Sequence, residues 1–319
     1  MTLPHKRLHP ATWLTFCCGA ACAQDYPSAR PLHIYTSQPG SGSDVAARVL
    51  AKRLPETFGQ TAVVDNRGIL APEIAAKAQP DGYTVLFYST PLWVSPLLQV
   101  KSQWDAARDF APVTLAVNAP NLLAVHPSLP VKSVRELLAL AKARPSELND
   151  GSGSVGSSSH LAAELFNAMA RVNIVRVPYR GVGPAVVGLL GGQVQVLFPS
   201  AGSGLPYVKS GRMRALAVTS TKPSMLLPDV PTIAAAGVPG YEAATPLGVF
   251  VPAGTPAKIV AQLYQGITAT LQLPEIKKLV LTQGFEVVGS SPADFAAWMK
   301  ADVARWRTLI RDKGLREGT

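Results

Sequence analysis

Two short runs rich in glycine and serine, Pro39-Gly-Ser-Gly-Ser-Asp44 and Gly151-Ser-Gly-Ser-Val-Gly-Ser-Ser-Ser-His160, each open a stretch with helical apolar spacing, Val45 to Leu54 and Leu161 to Ala170. The first run also follows a strand-like segment, Leu32 to Tyr35. Small side chains let a ligand approach the backbone, and the free N–H groups of a helix's first turn attract anions. Ser and Asp at these positions also cap helices without any ligand, so one such loop alone says little. Two of them in one chain point to a ligand held between two lobes.

Strand-like and helix-like runs alternate along the whole chain, the pattern of an α/β protein with mainly parallel sheets. The expected strands are Leu32 to Tyr35, Thr61 to Val64, Thr84 to Tyr88, Leu122 to Val125, Asn173 to Val177, Val194 to Phe198, Ala215 to Val218 and Leu247 to Val251. Beyond the two loop-opened helices, Val134 to Ala143, Pro184 to Leu190 and Ala257 to Leu271 read as helical. Pro292 to Ile310 is a closing helix capped by Ser290 or Ser291, with Phe295, Trp298, Met299, Val303 and Trp306 on one side. Pro-rich junctions at Ala119-Pro120 and Thr245-Pro246 mark two crossovers, which together form a hinge. The expected division is a first lobe over 24–120 and 246–319 and a second over 121–245.

Residues 1–23 read as an export signal. Lys6 and Arg7 precede a short apolar stretch, Ala11 to Ala20, and Ala21-Cys22-Ala23 is a small-x-small cleavage site. An alternative is a lipoprotein anchored at Cys22, although Gly19 then stands where a Leu is expected. Cys17, Cys18 and Cys22 are the chain's three cysteines, so cleavage removes disulfides, thiol nucleophiles and thiolate metal sites together. The expected location is periplasmic. No later segment approaches ~18 consecutive apolar residues, the length a membrane-crossing helix needs.

The net charge is +10, and loss of Lys6 and Arg7 leaves +8. Lys/Arg clusters interleaved with aromatics are absent, which argues against nucleic acid. The charge is uneven: the 64 residues from Leu165 to Pro228 hold seven cations and no Asp or Glu. Such a lobe is expected either to present a positive field to the cleft or simply to carry a solvated basic surface.

Enzyme signatures are weak. There is no G-x-S-x-G elbow, Ser159 and His160 are adjacent rather than facing, and His33, His126 and His160 are isolated. Gly151-x-Gly153-x-x-Gly156 matches the dinucleotide fingerprint literally, but follows Pro145 to Asp150, read as no buried strand, and lacks a downstream acid for a ribose.

Several further motifs recur in order: Gln79-Pro-Asp-Gly-Tyr-Thr84, Val125-His-Pro-Ser-Leu-Pro130, Val177-Pro-Tyr-Arg-Gly181, Leu190-Gly-Gly-Gln-Val194, Arg214-Ala-Leu-Ala-Val-Thr-Ser220, Leu227-Pro-Asp-Val-Pro-Thr232 and Pro252-Ala-Gly-Thr-Pro256. With Gly40 to Asp44, they make the chain from Tyr26 onward resemble the Bug-type receptors of tripartite tricarboxylate transporters. That resemblance implies a two-lobed, type II Venus-flytrap fold that binds small organic acids and delivers them to membrane permease subunits. It implies no enzyme activity and no cofactor, and a monomer is expected. A receptor that feeds a signalling partner is the alternative, and a periplasmic hydrolase a remote one. The resemblance places ligand contacts at Gly40, Ser41, Gly42, Ser43 and Asp44, at Ser154, Ser157, Ser158 and Ser159, and at the strand end Ser89-Thr90. Asp44 is read as a cap more than an anion contact.

Departures from the family pattern concentrate near the site. Ser37 stands where an apolar ring is common, and Gly68-Ile-Leu-Ala-Pro-Glu73 replaces a glycine-rich loop. Phe198-Pro-Ser200 replaces a frequent acid that pairs with amino-acid ligands, so Phe198 and Ser200 join the candidate contacts. Ile69, Leu70 and Phe198-Pro199 together suggest a ligand with an apolar body and no ammonium group.

Overall fold

The computed structural model of the chain describes residues 26–27, 30–98, 102–224 and 226–313. The expected signal segment, with Cys17, Cys18 and Cys22, lies outside the described residues.

Eleven strands follow in chain order: β1 Leu32–Thr36, β2 Ala62–Asn66, β3 Thr84–Ser89, β4 Phe110–Pro120, β5 Leu122–Val125, β6 Asn149–Ser152, β7 Val175–Pro178, β8 Val196–Leu197, β9 Arg214–Val218, β10 Ala244–Pro252 and β11 Glu286–Val287. They form one sheet in the order β11-β4-β10-β3-β1-β2 and a second in the order β7-β6-β8-β5-β9. Alternation along the strands serves both faces of each sheet. Val85 and Phe87 join one apolar cluster while Leu86 and Tyr88 join another, and Leu123 and Val125 separate likewise from Leu122 and Ala124.

The sheets are mixed, not mainly parallel. β1 pairs in parallel with β2 and β3, whereas β10 runs antiparallel to β3 and β4, and β11 to β4. The second sheet divides the same way, with β6 parallel to β7 and β8 and β5 antiparallel to β8 and β9. The reason is the crossing: β4 runs straight on into β5, with no helix between to bring the chain back in parallel. Asn121, the residue between them, donates its N–H to Thr219 Oγ1 (2.7 Å), and its Oδ1 accepts from Thr245 Oγ1 (2.6 Å). Since Thr245 lies on β10, opposite Ala119, the outgoing and returning strands are tied side by side.

Three strands escape the sequence pattern: the two-residue β11, and the longer β4 and β6. β4 is eleven residues long and carries Pro112, Asn118 and Pro120, each of which reads as punctuation. β6 is Asn-Asp-Gly-Ser, a composition depleted in strands, yet it is the strand that β7 and β8 flank. Gly151 is required there, because a Cβ would lie 2.9 Å from Val194. β6 therefore overturns the expectation that no buried strand precedes the second loop. The strand–loop–helix context of a dinucleotide site is present, and what still speaks against one is the missing acid.

The expected helices form: Val134–Ala143, Ala257–Gln272 and Pro292–Lys313 start where expected, and Gly42–Ala51, Ser158–Ala170 and Val182–Leu190 start two or three residues earlier. Ser291 is the cap of the last, its Oγ accepting from Asp294 N–H, while Ser290 Oγ instead accepts from Leu115 N–H on β4. Phe295, Met299 and Trp306 are buried against the first sheet's core and Trp298 is partly exposed. Among the described residues no helix is long and apolar enough to cross a membrane.

Candidate functional site

The first loop is folded by its own hydroxyls and one carboxylate. Ser41 is extended at the helix start, and its Oγ accepts from Asp44 N–H (3.3 Å) and lies 2.6 Å from Ser37 Oγ. Asp44 turns inward: Oδ2 accepts from Gly40 N–H (2.9 Å), and Oδ1 accepts from Arg48 Nε (2.8 Å) and Asn66 Nδ2 (2.9 Å). Asp44 is thus a brace for the loop and is 5 % exposed. The helix itself cannot bond the N–H groups of Gly42 and Ser43, and both residues line the cleft.

The second loop is held more completely. Ser157 Oγ accepts from His160 N–H (3.3 Å), and Ser159 Oγ accepts from Gly153 N–H (3.0 Å). His160 Nδ1 accepts from Gly156 N–H (3.1 Å), which leaves its proton on Nε2, 3.8 Å from Glu164. Burial, then the charge of Arg176, depresses the imidazole's pKa to about 3, so it stays neutral. From behind, Arg176 donates Nε to Ser152 Oγ (2.7 Å) and Nη2 to the Gly153 carbonyl (3.2 Å). Ser95 reaches across from the first lobe to donate to the Val155 carbonyl (2.9 Å). Gly156 has φ +76, and a Cβ there would sit 2.4 Å from Ser95 Oγ, so glycine alone fits. The hydroxyls of Ser154 and Ser158 have no protein partner among the described residues, and both line the cleft.

Between the loops lies a narrow cleft of about 60 Å³. Ser37, Ser41, Gly42, Ser43, Ser89, Ser154, Ser157, Ser158 and Ser200 line it, as the sequence suggests. The other candidates do not. Gly40 is exposed beside it, its N–H on Asp44. Thr90 is 3 % exposed and its carbonyl accepts from Trp93 and Val94 N–H, which starts the Pro91–Leu98 helix. Ser159 is fully buried within its loop. Phe198 is 1 % exposed with its ring 5.7 Å from Phe166, inside the second lobe's core. Strand parity explains it: Phe198 follows Val196 onto the face packed against the Ser158–Ala170 helix. Ile69, singled out in the sequence as covering an apolar ligand body, lines the cleft too, while Gln38, Tyr88, Pro91, Val182 and Thr245 also line it and were not legible as contacts.

No charged side chain lines this cleft among the described residues. Of the two expectations for the basic segment, the structure matches the solvated surface and not the field on the cleft. Arg171, Arg180, Lys209, Arg212 and Lys222 are exposed elsewhere, and Arg214 donates to the Leu129 and Val131 carbonyls. Positive potential in the cleft comes instead from helix starts. Gly42, Pro91, Ser158 and Val182 begin helices and line it, and Ser200 is the cap of the Ala201–Lys209 helix. Each such terminus carries roughly half a positive charge on unbonded amides. Five of them around one neutral, hydroxyl-rich space suit an anion.

Two mixed α/β lobes, joined by paired crossing strands and facing each other across a polar cleft, define the fold of a periplasmic binding protein. Residues 46–315 match the family described as the tripartite tricarboxylate transporter family receptor, TctC. Protein BugT of Bordetella pertussis is 36 % identical over 299 residues, covering 92 % of this chain and 91 % of BugT. The structure of R. palustris Rpa4515 with adipate has a TM-score of 0.88 at 36 % identity, covering 91 % of this chain and 99 % of that one. MatC (Rpa3494) from Rhodopseudomonas palustris with bound malate has a TM-score of 0.84 at 26 % identity, covering 89 % of this chain and 99 % of that one. This chain belongs to the tripartite tricarboxylate transporter receptor family and is a solute-binding receptor of the Bug type, not an enzyme.

Proposed function

We propose that this receptor captures a small organic carboxylate in the cleft between its two lobes, after export to the periplasm, and delivers it to permease subunits of a tripartite transporter. The observation that carries this reading is the convergence of five helix starts on a cleft with no charged side chain among the described residues. Anion binding there needs neither Arg nor Lys, because unbonded amides and the free hydroxyls of Ser154 and Ser158 supply the donors. The absence of an acid from the described lining argues against an ammonium-bearing ligand. The adipate and malate held by related receptors support the class. The lobes are 24–120 with 246–319, and 121–245, and they close about the crossing strands.

Micromolar affinity needs about 8 kcal/mol. A helix terminus contributes at most ~2 kcal/mol, so several hydrogen bonds and closure must act together. The test is thermal melting and calorimetry of the chain from Gln24 onward against mono- and dicarboxylates. A carboxylate at ~100 times its dissociation constant should add about 2.7 kcal/mol of stability. Heat only with a neutral sugar, and with no organic anion, refutes the reading.

A further inference from the structure

Beside the cleft lies a second cavity of about 250 Å³, and the two share Ile69, Tyr88, Pro91 and Ser154. Its own walls are Leu70, Trp104 and Val155, with Ser95, Gln103 and Glu73 at the margins. Ile69 and Leu70 are each 55 % exposed, a cost in water that nothing in the fold's core repays. They stand on a short turn, Gly68–Leu70, whose position is fixed by Tyr88, because the Tyr88 hydroxyl donates to the Gly68 carbonyl (2.9 Å). Trp104 is fixed too, its Nε1 donating to the Leu92 carbonyl (2.8 Å). The groove is therefore a preformed apolar extension that opens from the carboxylate site and is bounded by both lobes.

We infer that this groove holds the apolar tail of the ligand, so that the receptor selects a monocarboxylate with an alkyl or aryl body of several carbons over a short acid or an α,ω-dicarboxylate. The inference rests on the reading of the cleft as a carboxylate site. The occupant follows from continuity: a head bound by the amides of Gly42, Ser43 and Ser158 leaves its chain to run past Ile69 toward Leu70 and Trp104. Glu73 is the charged residue lining the groove among the described residues, and Lys77 pairs with it at 2.6 Å. A second carboxylate arriving there loses its water beside apolar walls and finds the neighbouring cation, Lys77, already held by Glu73, whereas a methyl or phenyl end meets Leu70 and the Trp104 ring.

Calorimetry with acetate, butyrate, hexanoate and octanoate, set against adipate and suberate, tests this. Each methylene that reaches the groove should tighten binding about fourfold. Octanoate should bind at least tenfold tighter than suberate. Leu70→Ser should flatten the chain-length dependence while leaving acetate affinity unchanged, and Glu73→Gln should narrow the gap between octanoate and suberate. Leu70 is exposed, so its replacement leaves the fold intact. Affinity independent of chain length, or suberate tighter than octanoate, overturns the inference while the cleft reading stands. If no carboxylate binds at all, both fall together.

Discussion

Ser203 and Gly40 sit on opposite lobes, and the Ser203 hydroxyl donates to the Gly40 carbonyl across 3.1 Å. That carbonyl belongs to the loop whose next residues present the free amides of Gly42 and Ser43. Ser203 Oγ is also 2.9 Å from Ser200 Oγ, so the bond joins both walls of the cleft directly. Such a contact exists only while the lobes are together, and it therefore adds to closure and not to the stability of either lobe. Ser203→Ala should weaken carboxylate binding about twofold to tenfold, the ~0.5–1.5 kcal/mol of one neutral hydrogen bond, with the melting temperature of the unliganded protein unchanged. Calorimetry paired with melting curves checks this, and equal affinities would make the contact incidental.

A few residues away the lobes meet backbone to backbone. A Cβ on Gly202 would lie 2.4 Å from the Gln283 carbonyl and 2.9 Å from the Phe285 ring. Gly284, opposite, has φ +85 and could carry no side chain cheaply, so neither surface can yield. Gly202→Ala should fold normally, since alanine suits a helix better than glycine. It should nevertheless hold the lobes apart and cost roughly tenfold or more in affinity, as a repulsion of only ~1.4 kcal/mol suffices. Small-angle scattering should then show no compaction on adding ligand, where the natural protein compacts.

How much of this was readable beforehand depends on what kind of information each feature needs. The two loops were legible because small residues followed by a helical apolar period are a local pattern, and nine of the serines and glycines named from them or beside them do line the cleft. Phe198 was misplaced because an apolar residue at the end of a two-residue strand does not announce which face it takes. β6 was invisible because its residues are held by neighbours on both sides and not by their own propensity. The origin of the positive potential was hidden more deeply. A count of arginines and lysines gives the sign of a segment but no direction, whereas five helix starts acquire a common focus only in three dimensions. Ile69 and Leu70 stood out as a departure, but Trp104, which completes their groove, is far off in sequence.

Ser158 tests the anion site from within. Its hydroxyl has no protein partner among the described residues, and it is the first residue of its helix, after the Ser157 cap. Ser158→Asp puts a carboxylate where the ligand's belongs. At ~4 Å and an effective dielectric of ~20, two like charges cost about 4 kcal/mol, roughly a thousandfold in affinity. An acid in the first turn of a helix is neutral or mildly stabilising, so the mutant should melt at or slightly above the natural temperature. Binding and stability thus move in opposite directions. A mutant that melts as before and binds as before would place the ligand elsewhere.

If helix amides and not basic side chains attract the ligand, the exposed cations of the second lobe should be dispensable. Arg180→Gln combined with Lys209→Gln should change carboxylate affinity by less than about twofold at ordinary salt, where exposed charges are largely screened. A tenfold loss would restore the basic lobe to the binding site.

The buried acid behind the second loop sets a pH dependence that is separable from binding. Asp150 is 1 % exposed on β6, and neither carboxyl oxygen has a hydrogen-bond partner among the described residues. Burial raises its pKa well above 3.8, Glu164 adds to the shift, and Arg176 opposes it. The folded protein therefore keeps Asp150 protonated where the unfolded chain has lost that proton. Stability from this residue is complete below 3.8 and declines as pH rises above it, by about 1.4 kcal/mol per pH unit until the buried acid itself ionises. His160 works the other way, because its folded value of about 3 lies below the unfolded 6.5. Its contribution is complete above 6.5 and is lost as pH falls toward 3. Glu164, raised chiefly by burial, adds to the Asp150 side. Asp150→Asn mimics the protonated acid without its titration, so the natural protein should lose stability relative to this variant as pH rises, the difference growing at about the slope given. Denaturant unfolding at a series of pH values measures that difference directly. Parallel curves for the two proteins would mean that Asp150 is ionised in the fold and partnered after all.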